Sequence, residues 1–224
     1  MGNHKKLISP SLMCGDLLQL KHTIEKLEAL KVDLIHIDIM DGHFVPNITF
    51  GIKVVKRIKS ITTIPVDIHL MVFNPEIFIE MFDLDENDII SFHYESVHSI
   101  TSVLDCIANK NVRAGIALKP ETDINVIKNY LDRLHLTLLM MTKPGSYGKK
   151  MESGMIEKVK KAKEIIEEAN YGTLIEVDGS VSFNLAGEMS KAGADIFVAG
   201  SSSIFNRDTT IEEGYNRLRG ILSL

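Results

Sequence analysis

Ile35-His36-Ile37-Asp38-Ile39-Met40 and, one unit further along, Val66-Asp67-Ile68-His69-Leu70-Met71 carry the same alternation. Side chains of a β-strand point to opposite faces with period two. The isoleucines of the first stretch therefore share one face, with His36, Asp38 and Met40 on the other. In the second stretch Asp67, His69 and Met71 stand opposite the apolar set. Ile175-Glu176-Val177-Asp178 repeats the pattern a third time. One face of each strand is suited to pack under helices, and the other carries imidazoles and carboxylates.

Around these strands the chain alternates short apolar runs with amphipathic helical stretches. The candidate strands are Lys6 to Pro10, Leu34 to Ile39, Val66 to Met71, Ile89 to Tyr94, Arg113 to Leu118, Thr137 to Met141, Leu174 to Asp178 and Ile196 to Ala199. A helix-like segment follows each one. Leu17, Leu20, Ile24, Leu27 and Leu30 recur at helical spacing after the first, and Met155, Val159, Ala162, Ile166 and Ala169 after the sixth. Eight units in 224 residues give 28 residues each, close to the allotment of a (β/α)8 barrel of ~250 residues. No spacer or low-complexity tract interrupts the series, so residues 1–224 are expected to form one single-domain α/β (β/α)8 TIM barrel. A doubly wound open sheet is the alternative, but the first strand lacks G-x-G-x-x-G and eight units suit closure better.

Composition narrows the function classes. The chain carries 25 Lys+Arg against 30 Asp+Glu, a net charge of -5, which argues against nucleic acid or an anionic membrane as partner. No run approaches the roughly 18 apolar residues of a membrane span. Cys14 and Cys106 make neither a disulfide framework nor a zinc-binding pair, so a reducing, cytoplasmic compartment is expected.

If the apolar strand faces meet the outer helices, the polar faces line the barrel, and their last residues reach the C-terminal mouth, where barrel enzymes place their chemistry. His36, Asp38, His69 and Asp178 then converge. Two imidazoles and two carboxylates suit Zn(II), Fe(II), Mn(II) or Co(II), and the two carboxylates balance the charge of a divalent ion. The alternative is that they only hydrogen-bond one another inside the barrel. Late in the chain, Pro144-Gly145-Ser146-Tyr147-Gly148, Asp178-Gly179-Ser180 and Ala199-Gly200-Ser201-Ser202-Ser203 supply turns whose backbone N–H groups can approach an anion. Three such turns on adjacent strands favour a phosphorylated ligand.

Ser9-Pro10-Ser11-Leu12, the run from His36 to Asn47, Asp67 to Val72, Glu176-Val177-Asp178-Gly179 and Ala199-Gly200-Ser201 resemble the ribulose-phosphate 3-epimerase family and its relatives acting on allulose 6-phosphate. The resemblance spans nearly the whole chain. It implies that His36, Asp38, His69 and Asp178 hold one divalent ion, that Asp38 and Asp178 are the acid–base pair, and that no organic cofactor is needed. It implies further that Ser11 and His69 contact the sugar. Gly145, Ser146, Tyr147, Gly148, Gly179, Ser180, Gly200, Ser201 and Ser202 would then receive the phosphate end, and Met40, Met71 and Met141 would line the site. These methionines read equally as flexible core filler. A cytoplasmic homo-oligomer acting on a phosphorylated ketose is the implied whole.

Two places depart from the family pattern. Lys143 to Lys150 replaces a Pro-Gly-Phe type of turn, and Lys119 stands where Asn is usual. Ser11-Leu12-Met13-Cys14, Val177-Asp178-Gly179-Ser180 and Ile204-Phe205-Asn206 lean towards D-allulose 6-phosphate to D-fructose 6-phosphate. The alternative is D-ribulose 5-phosphate to D-xylulose 5-phosphate. A decarboxylase on the same barrel would want Lys at the place of His69. A non-catalytic sugar-phosphate binding barrel is a further reading, against which the intact Asp38 and Asp178 speak.

Overall fold

The computed structural model describes residues 5–146 and 148–223. Tyr147, one of the expected phosphate-loop residues, lies outside them. Eight parallel strands form the barrel: β1 (Leu7–Pro10), β2 (Ile35–Asp41), β4 (Val66–Met71), β5 (Ile89–His93), β6 (Arg113–Leu118), β7 (Leu136–Met140), β8 (Leu174–Asp178) and β9 (Ile196–Ala199). Each pairs with its neighbour in chain order, and β1 pairs with β9. Closure between β1 and β2 rests on a Ser11–His36 bridge and on Leu34 N donating to Ile8 O at 3.4 Å. One strand falls outside the eight expected: β3 (Ile48–Thr49) runs antiparallel to β2, pairing Thr49 with Met40, and folds the loop after β2 back on itself.

The helices are α1 (Leu20–Ala29), α2 (Ile52–Lys59), α3 (Pro75–Met81), α4 (Ile100–Asn109), α5 (Met155–Glu168), α6 (Phe183–Ala192) and α7 (Ile211–Leu222). Several start on side-chain caps that satisfy their first N–H groups. Ser99 accepts from Ser102 N, Ser182 from Leu185 N, and Thr210 and Glu213 form a reciprocal capping box. The expected helix between β6 and β7 is absent, and residues Ile124–Asn129 and Leu131–Arg133 form 3₁₀ turns. Its stretch of Ile, Asn and Val is poor in strong helix formers, and only nine residues separate Ile124 from Leu134.

The alternation places the side chains as expected. Ile35, Ile37, Ile39, Ile68 and Leu70 are buried between barrel and helices. Inside, Leu34, Ile89, Leu136 and Ile196 close the barrel at the N-terminal ends of the strands. Gly115 belongs to this interior because a Cβ there would lie 2.6 Å from Leu136 Cδ1 and 3.0 Å from Ser91 Cβ. Asp33 fastens the same end, accepting from Ile8 N at 2.9 Å and from Arg219 of α7.

Candidate active site at the mouth of the barrel

His36 and Asp38 from β2, His69 from β4 and Asp178 at the end of β8 come together as the sequence led us to expect. One ligand atom from each lies within 4.8 Å of all the others. Asp38 Oδ1 is 3.3 Å from both His36 Nε2 and His69 Nδ1, and Asp178 Oδ2 is 3.8 Å from His69 Nδ1. Ser11 Oγ donates to the other Asp38 oxygen at 2.7 Å.

A layer of groups that sequence reading left without a role holds these four. His36 Nδ1 bonds Asp67 Oδ2 at 2.6 Å, and Ser9 Oγ donates to the same oxygen at 3.1 Å. His69 Nε2 meets His93 Nε2 at 3.0 Å, and His93 Nδ1 meets Glu95 Oε2 at 3.1 Å. Glu95 in turn accepts from Lys119 N at 2.9 Å and from the Thr122 hydroxyl. The parity of Ile89-Ser91-His93 already points His93 inward. Nothing in the sequence singles out Glu95, because it acts from a loop after the strand has ended.

The arrangement fits a divalent cation. Asp67 occupies His36 Nδ1, which leaves Nε2 turned to the centre, fully buried and without a hydrogen bond. Burial would lower the affinity of His36 for a proton, but Asp67 and Asp38 outweigh it and hold its pKa well above 6.5. The field that keeps a proton there can keep a metal ion instead. The N₂O₂ donor set accepts several first-row ions. The two carboxylates differ in character. Burial would raise Asp38, yet His36 and His69 hold it below the usual carboxylate range, whereas burial and then Asp38 itself raise Asp178. Burial, followed by His69, lowers His93 to about 4 against the pull of Glu95, so it stays neutral at pH 7.

A cavity runs from Asp38 and Asp178 to the turns after β7, β8 and β9. Its walls include Ser11, Gly145, Ser146, Gly148, Gly179, Ser180, Gly200, Ser201 and Ser202. Gly179 is needed twice over, since its φ is +94° and a Cβ would stand 2.5 Å from Thr142 Oγ1. Ser180 also adopts a left-handed φ of +54°, and its hydroxyl donates to Lys149 O across the altered loop. Asn47 Nδ2 donates to Gly145 O at 2.7 Å, tying that loop to the one after β2. Met40 and Met71 line the cavity. Met141 does not. It is fully buried in the layer between barrel and helices, and Met140 faces the cavity, because β7 begins at Leu136 and its even-numbered residues point inward.

A barrel of eight parallel strands with a His and Asp cluster able to hold an ion and glycine turns at its C-terminal mouth is a layout found in enzymes that act on small phosphorylated compounds. Comparison with known proteins narrows it. Residues 7–205 match the ribulose-phosphate 3 epimerase family. The ribulose-phosphate 3-epimerase of Methanocaldococcus jannaschii is 39% identical over 201 residues, covering 90% of this chain and 85% of the relative. That of Bacillus subtilis is 38% identical over 196 residues, covering 87% and 90%. The chain belongs to the ribulose-phosphate 3-epimerase family and is an isomerase of phosphorylated ketoses. Among solved structures, a mutant tryptophan synthase alpha-subunit from Pyrococcus furiosus matches over 100% of both chains with a TM-score of 0.69 and 15% identity, which shows the shared fold alone. No helix among the described residues is long and apolar enough to cross a membrane.

Proposed function

We propose that this chain interconverts D-ribulose 5-phosphate and D-xylulose 5-phosphate, with Asp38 and Asp178 as the proton-transfer pair. The observation that carries the reading is the convergence of these two carboxylates, from β2 and β8, on one ion-sized space beside a phosphate-sized cavity. Inverting C3 requires removing its proton from one face and returning one to the other. Carboxyl groups on separate strands can flank the carbon, with the ionised one accepting and the protonated one donating. Asp38, held ionised, suits the base, and Asp178, whose proton is retained more strongly, suits the acid; the reverse reaction exchanges them.

His36, Asp38, His69 and Asp178 would hold the divalent ion, which when bound supplies Lewis-acid stabilisation of the negative charge left by C3 deprotonation. The remaining residues position the substrate. Ser11 fixes Asp38 by its hydrogen bond, Asp67 fixes the His36 ring, and the turns at Gly179 and Gly200 to Ser202 offer the phosphate backbone donors. Fixing that remote end holds C3 between the carboxyl groups.

The relatives' names support the pentulose phosphate over the hexulose phosphate towards which the sequence leaned. The second reading, D-allulose 6-phosphate, retains one specific support: Ser180 accepts a left-handed backbone where Gly would be unstrained, and its hydroxyl reshapes the phosphate end by holding Lys149. The sugars differ by one hydroxymethylene, so the shape of this end decides. The test is kcat/KM for both sugars after reconstitution with Zn(II), Mn(II), Fe(II) or Co(II), together with exchange of the C3 proton in deuterated water. A higher value for ribulose 5-phosphate is expected. A higher value for allulose 6-phosphate would select the second reading, and no turnover or exchange with either sugar would overturn both.

A further inference from the structure

We propose that Lys149 is a substrate-positioning residue whose ammonium closes over the phosphate, adding a whole charge to a cradle of backbone N–H groups and hydroxyls. This rests on the proposed function, in which the phosphate lies against the turns after β7, β8 and β9. Lys149 is the only basic residue among the described ones that wall the cavity, and Asp38 and Asp178 are the acidic ones. At the far end the two carboxylates balance a divalent ion, so nothing there is left to offset the substrate's own charge. A phosphate monoester carries about −1.5 to −2 at pH 7. Backbone dipoles at the glycine turns meet it with partial charges only, and Lys149 is the group that can meet it with a full one.

The fold delivers the lysine to that place. The segment from Gly145 to Glu152 is fastened at both ends: Asn47 Nδ2 donates to Gly145 O at 2.7 Å, and Glu152 N donates to Met141 O at 2.8 Å. Between them Gly148 turns the chain with a φ of +63°. The Ser180 hydroxyl donates to Lys149 O, so the turn after β8 grips the loop at the residue that carries the ammonium. Pinning the backbone removes part of the entropy that a lysine on a free loop would lose on binding.

The ammonium itself is uncommitted. Lys149 is exposed and makes no ion pair among the described residues, and the same holds for Lys143 and Lys150. Glu152 is the single acidic residue from 143 to 154 and pairs with none of them. In a chain of net charge -5 this loop therefore keeps a local positive field at the phosphate side of the mouth. Lys143 is not part of the cavity wall, which makes it the internal comparison: it shares the field without the contact.

Calorimetric titration of the metal-loaded full chain with inorganic phosphate, at about 0.15 M salt, reads this without turnover. Lys149→Gln is expected to raise the phosphate Kd about tenfold, the discount for a solvent-exposed pair included. Lys149→Arg should stay within about threefold of the wild type, and Lys143→Gln within about twofold, because a screening length of ~8 Å leaves little of a charge that makes no contact. With ribulose 5-phosphate or allulose 6-phosphate as substrate, the Lys149→Gln loss should appear in KM, with kcat changed by less than about threefold. Equal phosphate affinity in wild type and Lys149→Gln overturns the proposal, and leaves the epimerase reading standing where both turn over substrate. An equal loss in Lys143→Gln also overturns it, by assigning the effect to the field of the loop, as does a loss in Lys149→Arg as large as in Lys149→Gln, by assigning it to shape. No measurable phosphate binding by the wild type overturns it as well. A wild-type chain that epimerises neither sugar, yet binds phosphate about tenfold more tightly than Lys149→Gln, would sink the proposed function and still support Lys149 as the phosphate's partner.

Discussion

The two walls of the barrel are built from the same parallel strands with the same inward parity, yet they are lined by opposite chemistry. From β2, β4 and β8 come His36, Asp38, Asp67, His69, Glu176 and Asp178; from β6 and β7 come Gly115, Ala117, Leu138 and Met140. Burying the first set costs free energy, because each charge leaves water and some polar atoms make no hydrogen bond, among them both Glu176 oxygens. Burial, with Asp67 beside it, pushes the Glu176 carboxyl well up. The second set and the apolar layer under the helices supply the stabilisation that offsets this. One wall is thus built for chemistry, and the other for holding the barrel shut.

This division predicts that substitutions on the two walls will separate activity from stability. Asp178→Asn should have the largest effect, lowering kcat by about 10²–10⁴ and weakening metal binding, since one proton carrier and one anionic ligand go together. The fold should not suffer, because a neutral amide replaces a carboxyl that burial already disfavours as an anion. Steady-state kinetics alongside thermal melting read both, and full activity in the variant would remove Asp178 from the mechanism. Leu138→Ala is the counterpart on the apolar wall. Leu138 is fully buried, so about 2–5 kcal/mol of unfolding free energy should be lost, with kcat per folded molecule within about twofold of the wild type. A collapse of kcat below the melting temperature would show that the walls are not separable.

A smaller effect belongs to the groups behind the polar wall. Asp67→Asn keeps a hydrogen-bond acceptor at His36 but removes the charge that fixes the ring. A 10–100-fold loss in affinity for Zn(II) or Mn(II) is expected by calorimetric titration, with kcat at saturating metal much less affected. Unchanged affinity would mean that ring orientation is set by packing alone.

The polar wall was the more legible of the two in sequence, for a physical reason. Ionisable residues alternating with Ile and Leu are costly in any other setting, so His36, Asp38, His69 and Asp178 announce both the strand and its inward face. Met140 and Met141 carry no such contrast. In an unbroken apolar run the strand start decides which residue faces the cavity, and a one-residue difference exchanges them. The turns at Gly179 and Gly200 were readable because glycine marks close approach. β3 was not, since a two-residue strand has no period. The helix missing before β7 was also hidden, because Ile124, Ile127 and Leu131 are buried at helical spacing although they lie in 3₁₀ turns. Glu95 was hidden most completely, for its role depends on distant residues reaching it.

Glu95 gives the finest test of how the polar wall is supported. Burial would raise its carboxyl, but His93, Thr122 and Lys119 N outweigh that and hold it at about 2. Its folded value lies below the unfolded value of about 4.3, so the stabilisation is complete above that pH and is lost as pH falls towards 2. The carboxylate is partly open to solvent, which discounts its contribution to about 1–2 kcal/mol. His93, held at about 4, works in the same direction over a higher window, its share disappearing as pH drops from about 6.5 to 4. Glu95→Gln separates the two, because the amide can still accept from His93 but no longer titrates. Urea unfolding of wild type and variant should therefore show the full difference at pH 7, a reduced one near pH 3.5 and almost none near pH 2. A difference that stays flat across this range would mean that Glu95 supports the His93–His69 line by shape rather than by charge.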